Sequence, residues 1–327
     1  MRLYCTHFDD GYFSRGAVMI DSLLEHDPDA SVWVLALTPS VAGLLETRFA
    51  DAVNVVALDR LEAAEPALPP LRSQRSAVEY IFTLTAPWTK FVMDEISEPG
   101  DWVTYLDADL YFFSSPEPVF AEIAGSSVAL VEHRYPPTRR GLRRFGTYNV
   151  GWVGFRHDAD GRRCLDWWSQ VCLEWCFDRV EDGKFADQGY LDRFVDITSQ
   201  LHVISNPGVD LAPWNLGRYR VDAVGPPPTV DGSPVVCFHF HGIWKRGDRY
   251  YWKNFRYHAR TTRTVREALF RPYLGALSAA EREQGRAVTD SRVRGRLGRA
   301  RSGVKRLAAR AVGDTMRSFQ DGPTSGR

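Results

Sequence analysis

Two carboxylates, Asp107 and Asp109, stand one residue apart between the apolar run 102–106 and the aromatic-rich run 110–113. A strand that is apolar throughout is buried on both faces, and ligand crevices form at the carboxyl ends of such strands. Two carboxylates placed there converge on one hard divalent cation once the backbone leaves extended geometry. Mg²⁺ and Mn²⁺ accept such oxygen ligands and share them with substrate phosphates. A solvated acidic turn is the competing reading, because an isolated Asp-x-Asp is common. Two histidines, His239 and His241, alternate along a second apolar run at 235–240. Read alone, this spacing leaves one of them as a core imidazole. The five cysteines, Cys5, Cys164, Cys172, Cys176 and Cys237, form no CxxC pair and complete no zinc set. They are expected as buried, reduced thiols.

The elements that must position these residues follow from the hydrophobic pattern. Residues 3–6, 32–37, 53–58, 102–106 and 128–131 read as strands, and 16–24, 41–49 and 76–94 as helices. Alternating helices and continuously apolar strands predict an α/β fold, a mostly parallel sheet with helices on both faces. The second half is less regular. Residues 148–155 read as a strand, 164–177 as a Trp-rich helix, and Asp187 as the N-cap of a further helix. Strands at 201–204 and 235–240 flank a turn-rich loop with three prolines at 226–228 and Asp231-Gly232.

Taken in order, these segments resemble a known group. YLDADLYF (105–112) looks like the strand and Asp-x-Asp of nucleotide-sugar glycosyltransferases with the GT-A (Rossmann-like) fold. CTHFDDGYFSRGA (5–17) is similar to the first strand and loop of glycogenin-like, family 8 enzymes. There the loop holds the nucleotide base and ribose, which implies Thr6 and Tyr12 as contacts. Asn149-Val150-Gly151 resembles their Asn-x-Gly strand, and Asp187-Gln188-Gly189 their Asp-Gln pair. The resemblance makes Asn149, Asp187 and Gln188 the implied sugar-side, catalytic set. HFHGIWK (239–245) resembles their H-x-x-G-x-x-K element. It implies His239 as third metal ligand beside Asp107 and Asp109, a close backbone approach at Gly242, and a diphosphate contact from Lys245. RSAVEY, TLTAP, EWCFDRVEDGKFADQ and LAPWN look like a bacterial branch linked to polysaccharide assembly. One departure stands out: Arg246-Gly247 replaces the Pro-Trp that usually follows the lysine.

The resemblance implies a glycosyltransferase using Mn²⁺ or Mg²⁺ and a nucleoside diphosphate sugar, UDP favoured, with retention of configuration. The acceptor would be a glycan or a lipid-linked sugar. Because such a donor is anionic, Arg72 or Arg75 becomes a candidate phosphate contact, with Arg75 the expected one. Glu79, four residues on, reads as an ion-pair partner of Arg75. Trp214, beside Asn215 in a Pro-flanked loop, is a candidate for acceptor stacking, whereas Trp167, Trp168 and Trp175 read mostly as core. A nucleotidyltransferase making an NDP-sugar is the rival enzyme class, but it would open with a Gly-rich phosphate loop where this chain has THFDDGYFSRG. A non-catalytic carbohydrate-binding relative is the other alternative, against which the intact Asp107, Asp109, His239 and Lys245 set argues.

The 327 residues are 44% hydrophobic and 25% charged, which excludes global disorder and a disulfide scaffold. The net charge of zero hides an asymmetry. Residues 282–327 hold twelve Lys/Arg against four acids, and the remainder 29 against 37. The expected organisation is one GT-A domain over residues 1–275 and a basic tail over 276–327 whose last residues are disordered. From Arg292 the apolar positions Val293, Leu297, Ala300, Val304, Leu307, Ala311, Thr315 and Phe319 trace one helical stripe among arginines, a pattern suited to an anionic membrane surface. Nucleic acid is not expected as a partner. With no apolar leader and no membrane-length run, the expected location is cytoplasmic, peripheral to the inner face of the membrane if the tail binds it.

Overall fold

The structure, a computed structural model, describes residues 1–252, 254–259, 261–285 and 315–317. The chain opens with β1 (Arg2–Phe8), α1 (Phe13–His26), β2 (Ser31–Ala36), α2 (Pro39–Phe49), β3 (Asn54–Ala57), α3 (Leu58–Ala64), α4 (Leu68–Leu71) and α5 (Ala77–Glu95). Then come β4 (Trp102–Leu106), β5 (Leu110–Phe112), α6 (Glu117–Ile123), β6 (Val128–Glu132), β7 (Tyr148–Arg156), α7 (Ala159–Glu174) and β8 (Leu201–Val203). Three short strands, β9 (Val221–Asp222), β10 (Thr229–Val230) and β11 (Ser233–Pro234), form a small antiparallel sheet. The chain continues through β12 (Cys237–His239), β13 (Trp244–Arg246), β14 (Arg249–Tyr251), α8 (Arg263–Val265) and α9 (Arg271–Gln284).

Seven strands make the central sheet, in the order β3-β2-β1-β4-β7-β6-β8, and only β7 runs against the rest. The expected mostly parallel sheet is therefore present. Its strands are apolar throughout because both faces are covered. On β1, Tyr4 and Phe8 enter one core with α1, α2 and α6, while Leu3 and Cys5 enter another with α5 and α7. β4 divides the same way, Trp102 and Leu106 against Val103 and Tyr105. The chain winds outward from β1 to β3, then returns to place β4 on the other side of β1. The carboxyl ends of β1 and β4 therefore flank the switch point where a crevice is expected.

Local signals explain the helix starts. Ser76 and Glu79 form a reciprocal capping box on α5, Thr38 caps α2 ahead of Pro39, and Asp158 caps α7. Glu79 thus serves the helix start and is not the ion-pair partner of Arg75. The helix expected to open at Asp187 is a 3-10 helix, Gln188–Asp196, and Asp187 makes no capping bond to it. The preceding turn, with Gly183 and Ala186 at positive φ, turns the Asp187 side chain into the interior instead. All five cysteines are free and buried, as expected.

α9 packs on α1 and ends on Gly285, whose φ of 69° suits a helix C-cap. Tyr273, Leu274, Leu277 and Ala280 are its buried face. The amphipathic stripe expected from Arg292 lies outside the described residues, apart from Thr315–Arg317. Those three form a strand antiparallel to β14, so the helical stripe does not extend through them. Among the described residues no helix is long and apolar enough to cross a membrane.

Candidate active site

The Asp-x-Asp pair leaves strand geometry where β4 ends. Asp107 N–H donates to the Gly151 carbonyl on β7 at 3.1 Å, and Leu110 N–H closes a turn onto the Asp107 carbonyl at 3.2 Å. The turn carries Asp109 into β5, which pairs with β12 in the register that sets Leu110 opposite His239. Phe240 N–H then donates to the Asp109 carbonyl at 2.8 Å, and His239 N–H to the Leu211 carbonyl at 2.8 Å. Three carboxylates consequently surround one imidazole. His239 Nε2 lies 3.0 Å from Asp109 Oδ1 and 3.5 Å from Asp107 Oδ2, while Nδ1 lies 3.0 Å from Asp210 Oδ1. His239 and Asp210 are both buried, and Tyr105 donates its hydroxyl to Asp107 at 3.1 Å.

The electrostatics follow from this crowding. Burial opposes charge on His239, but Asp109 and Asp210 outweigh it and raise the imidazole pKa well above its ordinary value. Burial pushes the Asp107 carboxyl up, and the charge of His239 offsets only part of that. Burial would push Asp109 the same way, yet the charge and hydrogen bond of His239 hold it below the usual carboxylate range. The cluster therefore carries surplus negative charge that one imidazolium partly balances.

A divalent cation fits these donors. Asp109, His239 and His241 each offer one atom, and all three atoms lie within 4.8 Å of one another. Asp210 Oδ2 is buried without a hydrogen-bond partner. Carboxylate oxygens with imidazole nitrogen suit Mn²⁺, and a carboxylate on Nδ1 is the usual outer partner of a metal-binding histidine, leaving Nε2 for the ion. His241 joins because residues two apart along an extended chain share a face. Both imidazoles meet the ring of Trp214, at centroid distances of 5.0 and 5.6 Å, so neither is a core imidazole set apart from the site. Trp214 itself is 3% exposed and also meets His133 and Tyr257, so it is a wall of the site rather than a surface for acceptor stacking.

A second bonded group adjoins the first. Asn149 Nδ2 donates to Gln188 Oε1 at 3.0 Å and lies 3.2 Å from His133 Nε2, and Gln188 Nε2 donates to the Phe145 carbonyl at 2.7 Å. Asn149 Oδ1 accepts the Gly151 N–H at 2.8 Å. Glycine at 151 is what lets the two groups touch, since a Cβ there would come 2.5 Å from Asn149 Oδ1 and 2.6 Å from His239 Nδ1. Asp187 is buried beside them. Burial, opposed by a hydrogen bond with Thr85 and reinforced by the charge of Asp107, raises its pKa to about 7.

The remaining residues singled out in the sequence lie on the β1 side or elsewhere. Thr6 is buried on β1 with its hydroxyl unpartnered, and Tyr12, 42% exposed, precedes α1 with its ring 4.5 Å from the Arg15 guanidinium. Gly242 takes a φ of 71°. Lys245 pairs with buried Glu281 at 2.5 Å, and Tyr250 donates to the same carboxylate. Arg75 lies apart from these. Its guanidinium donates to the Cys172 and Leu173 carbonyls at 2.9 and 2.6 Å, and to Thr83, closing the C-terminal end of α7. That placement gives no support to the expected phosphate contact.

Sequence reasoning missed two residues here. Asp210 adjoins the LAPWN phrase, but only the pairing of residues 208–211 against β12 brings it to His239. Arg15 is buried, donates to the Ile243 carbonyl at 2.7 Å and feels the charges of Asp109 and Glu281. Its signal was available as the one arginine in the CTHFDDGYFSRGA phrase, where it falls in the first turn of α1.

No sequence profile of a known protein family matches the chain. The uncharacterized protein YfnF of Bacillus subtilis (strain 168) is 31% identical over 247 residues, covering 73% of this chain and 80% of YfnF. YfnD of the same organism, also described as uncharacterized, is 29% identical over 228 residues, covering 69% and 72%. Among solved structures, galactosyltransferase LgtC in complex with donor and acceptor sugar analogues matches with a TM-score of 0.50 at 15% identity, over 74% of this chain and 87% of LgtC. An active-site mutant of LgtC with glutamine changed to glutamate matches with a TM-score of 0.50 at 15% identity, over 79% and 94%. At such identity the likeness establishes the architecture, which is that of the GT-A fold.

Proposed function

As this chain belongs to the family of the Bacillus subtilis protein YfnF and has the GT-A fold, we propose that it is a metal-dependent glycosyltransferase. It moves a sugar from a nucleoside diphosphate sugar, UDP favoured, to a glycan or glycolipid acceptor in polysaccharide assembly. The observation that carries this reading is the convergence of Asp107, Asp109 and His239 at the carboxyl end of β4, against the Asn149–Gln188 pair. Asp107, Asp109 and His239 would hold Mn²⁺ or Mg²⁺, with His241 beside them. When bound, such an ion supplies positive charge where the diphosphate leaves.

The chain's own groups complete the arrangement. Lys245 and Arg15 add cationic charge toward the diphosphate, and Gly242 keeps the backbone between them free of a side chain. Thr6 and Tyr12 border the base and ribose. Asn149, Asp187 and Gln188 hydrogen-bond the donor sugar; a glutamine is likewise the residue changed in the active-site mutant of LgtC. Asp187, with a pKa near neutrality, donates or accepts at a sugar hydroxyl according to pH. Retention of configuration is the outcome the family resemblance favours, and NMR of the product's anomeric proton reads it.

A thermal-shift screen of nucleoside diphosphates tests donor recognition. A ligand at about 100 times its Kd adds about 2.7 kcal/mol to stability. One diphosphate with Mn²⁺ should raise Tm by several degrees, and neither component alone should match it. No shift with any nucleotide and metal would remove the reading.

A further inference from the structure

The segment 134–147 carries a feature the donor does not explain. It leaves the carboxyl end of β6, runs through the 3-10 helix Pro137–Phe145, and enters β7 at the edge of the sheet that bears the site. It is clamped at both ends. At its start, Arg134 donates to the carbonyls of Asn206 and Val209, in the loop that carries Asp210. At its end, the Phe145 carbonyl accepts from Gln188, and Thr147 N–H donates to Asp192 at 2.8 Å. Between the clamps, Tyr135 and Leu142 pack on the cluster that contains Trp214. The strap is therefore tied at one end to the loop that holds Asp210 and at the other to Gln188.

Four arginines, Arg139, Arg140, Arg143 and Arg144, project from this strap. Arg140, Arg143 and Arg144 are exposed. Among the described residues no carboxylate lies within ion-pair distance of any of the four. The Arg139 Nε is shielded from solvent and has no hydrogen-bond partner. Four uncompensated cations beside a site of buried aspartates mean a rim charged opposite to its floor. The cations that feel Asp109 or pair with Glu281, Arg15 and Lys245, lie on the β1 and β13 side. The strap is tied instead to the sugar-side residues.

We propose that the acceptor is an anionic saccharide, bearing phosphate or carboxylate, gripped by Arg139, Arg140, Arg143 and Arg144. Guanidinium forks match either group in a bidentate manner, and several of them fix an acceptor's orientation as well as its affinity. This inference rests on the glycosyltransferase reading, and its test is separable from that of the reading.

The test uses the full chain with Mn²⁺ and UDP present, and measures binding of three labelled oligosaccharides by fluorescence anisotropy. The probes are phosphorylated mannopentaose, hexagalacturonate and neutral maltohexaose. The wild type should bind one anionic probe at least about tenfold more tightly than maltohexaose, a difference of about 1.4 kcal/mol. Which anionic probe wins distinguishes phosphate from carboxylate. The Arg140→Ala/Arg143→Ala/Arg144→Ala protein should lose that preference, and the corresponding Lys protein should keep part of it. Arg143→Glu alone, at an exposed side chain, gives the same reading if the triple variant is unstable. A wild type without preference, or an alanine protein that keeps it, overturns the proposal. So does binding of phosphatidylglycerol vesicles that the alanine change abolishes while no saccharide preference exists, which would assign the strap to a membrane. Donor turnover by the wild type is scored separately, and its failure would remove the transferase reading without touching the binding result.

Discussion

His239 is held at both ring nitrogens by buried carboxylates, and this decides how substitutions around it should behave. Asp109→Ala removes a charge-paired metal oxygen and should abolish measurable Mn²⁺ binding by calorimetry at neutral pH. Asp210→Ala leaves the metal donors in place but frees the ring. It should weaken Mn²⁺ about 10- to 100-fold, the usual loss when an outer partner of a metal ligand is removed, while Asp210→Asn should restore most of it. Asp187 gives a pH prediction. Its pKa rises from 3.8 to about 7 on folding. The folded chain thus keeps a proton the unfolded chain has lost, which favours folding below about pH 4 and is lost as pH rises through 7. In metal-free buffer, Tm of Asp187→Asn relative to wild type should climb between about pH 4 and 7, then level off. A flat difference would mean that Asp187 is ionised throughout. At this scale the sequence spoke unevenly. The positions of Asp107, Asp109, His239 and Asn149 were legible through order and spacing, because short motifs fix them to strand ends, and that of Gln188 through its Asp187-Gln188-Gly189 phrase, which opens a 3-10 helix. Asp210 was not, since its place depends on which part of the chain pairs with β12.

Elements position these side chains, and glycines on them report how tightly. Gly151 sits on β7 where it faces both His239 and Asn149. Gly151→Ala should cost about 1–3 kcal/mol in denaturant unfolding, the range for overpacking a filled interior, and should weaken Mn²⁺ binding with it. Gly275 on α9 is the control, because an added Cβ there meets nothing within 4 Å. Gly275→Ala should stabilise by about 0.5–1 kcal/mol through helix propensity. Strands were the readable part of the fold. The runs at 3–6, 32–37, 102–106 and 148–155 match β1, β2, β4 and β7 closely, because strands buried on both faces leave unbroken apolar runs. The 3-10 helices at 137–145 and 188–196 lack such a signature. Their paths are set by tertiary bonds such as Gln188 to Phe145 and Thr147 to Asp192.

The whole molecule brings opposite charges together around the His239 cluster. The cluster is acidic and suits a cation, the β1 side carries Arg15 and Lys245, and the strap carries four arginines. That division suits a reaction with a metal, an anionic donor and a second substrate. It also explains why the overall charge of zero was uninformative, since charges that matter locally cancel in the sum. The most direct measurement of the central claim is release of nucleoside diphosphate from a panel of nucleotide sugars, by the wild type and by Asp109→Ala, with Mn²⁺ or with EDTA. We predict that the wild type releases the nucleotide from one donor only when metal is present, and that Asp109→Ala loses nearly all of it. Release that persists in EDTA and in Asp109→Ala, or the absence of release from every donor with Mn²⁺ present, would contradict the account.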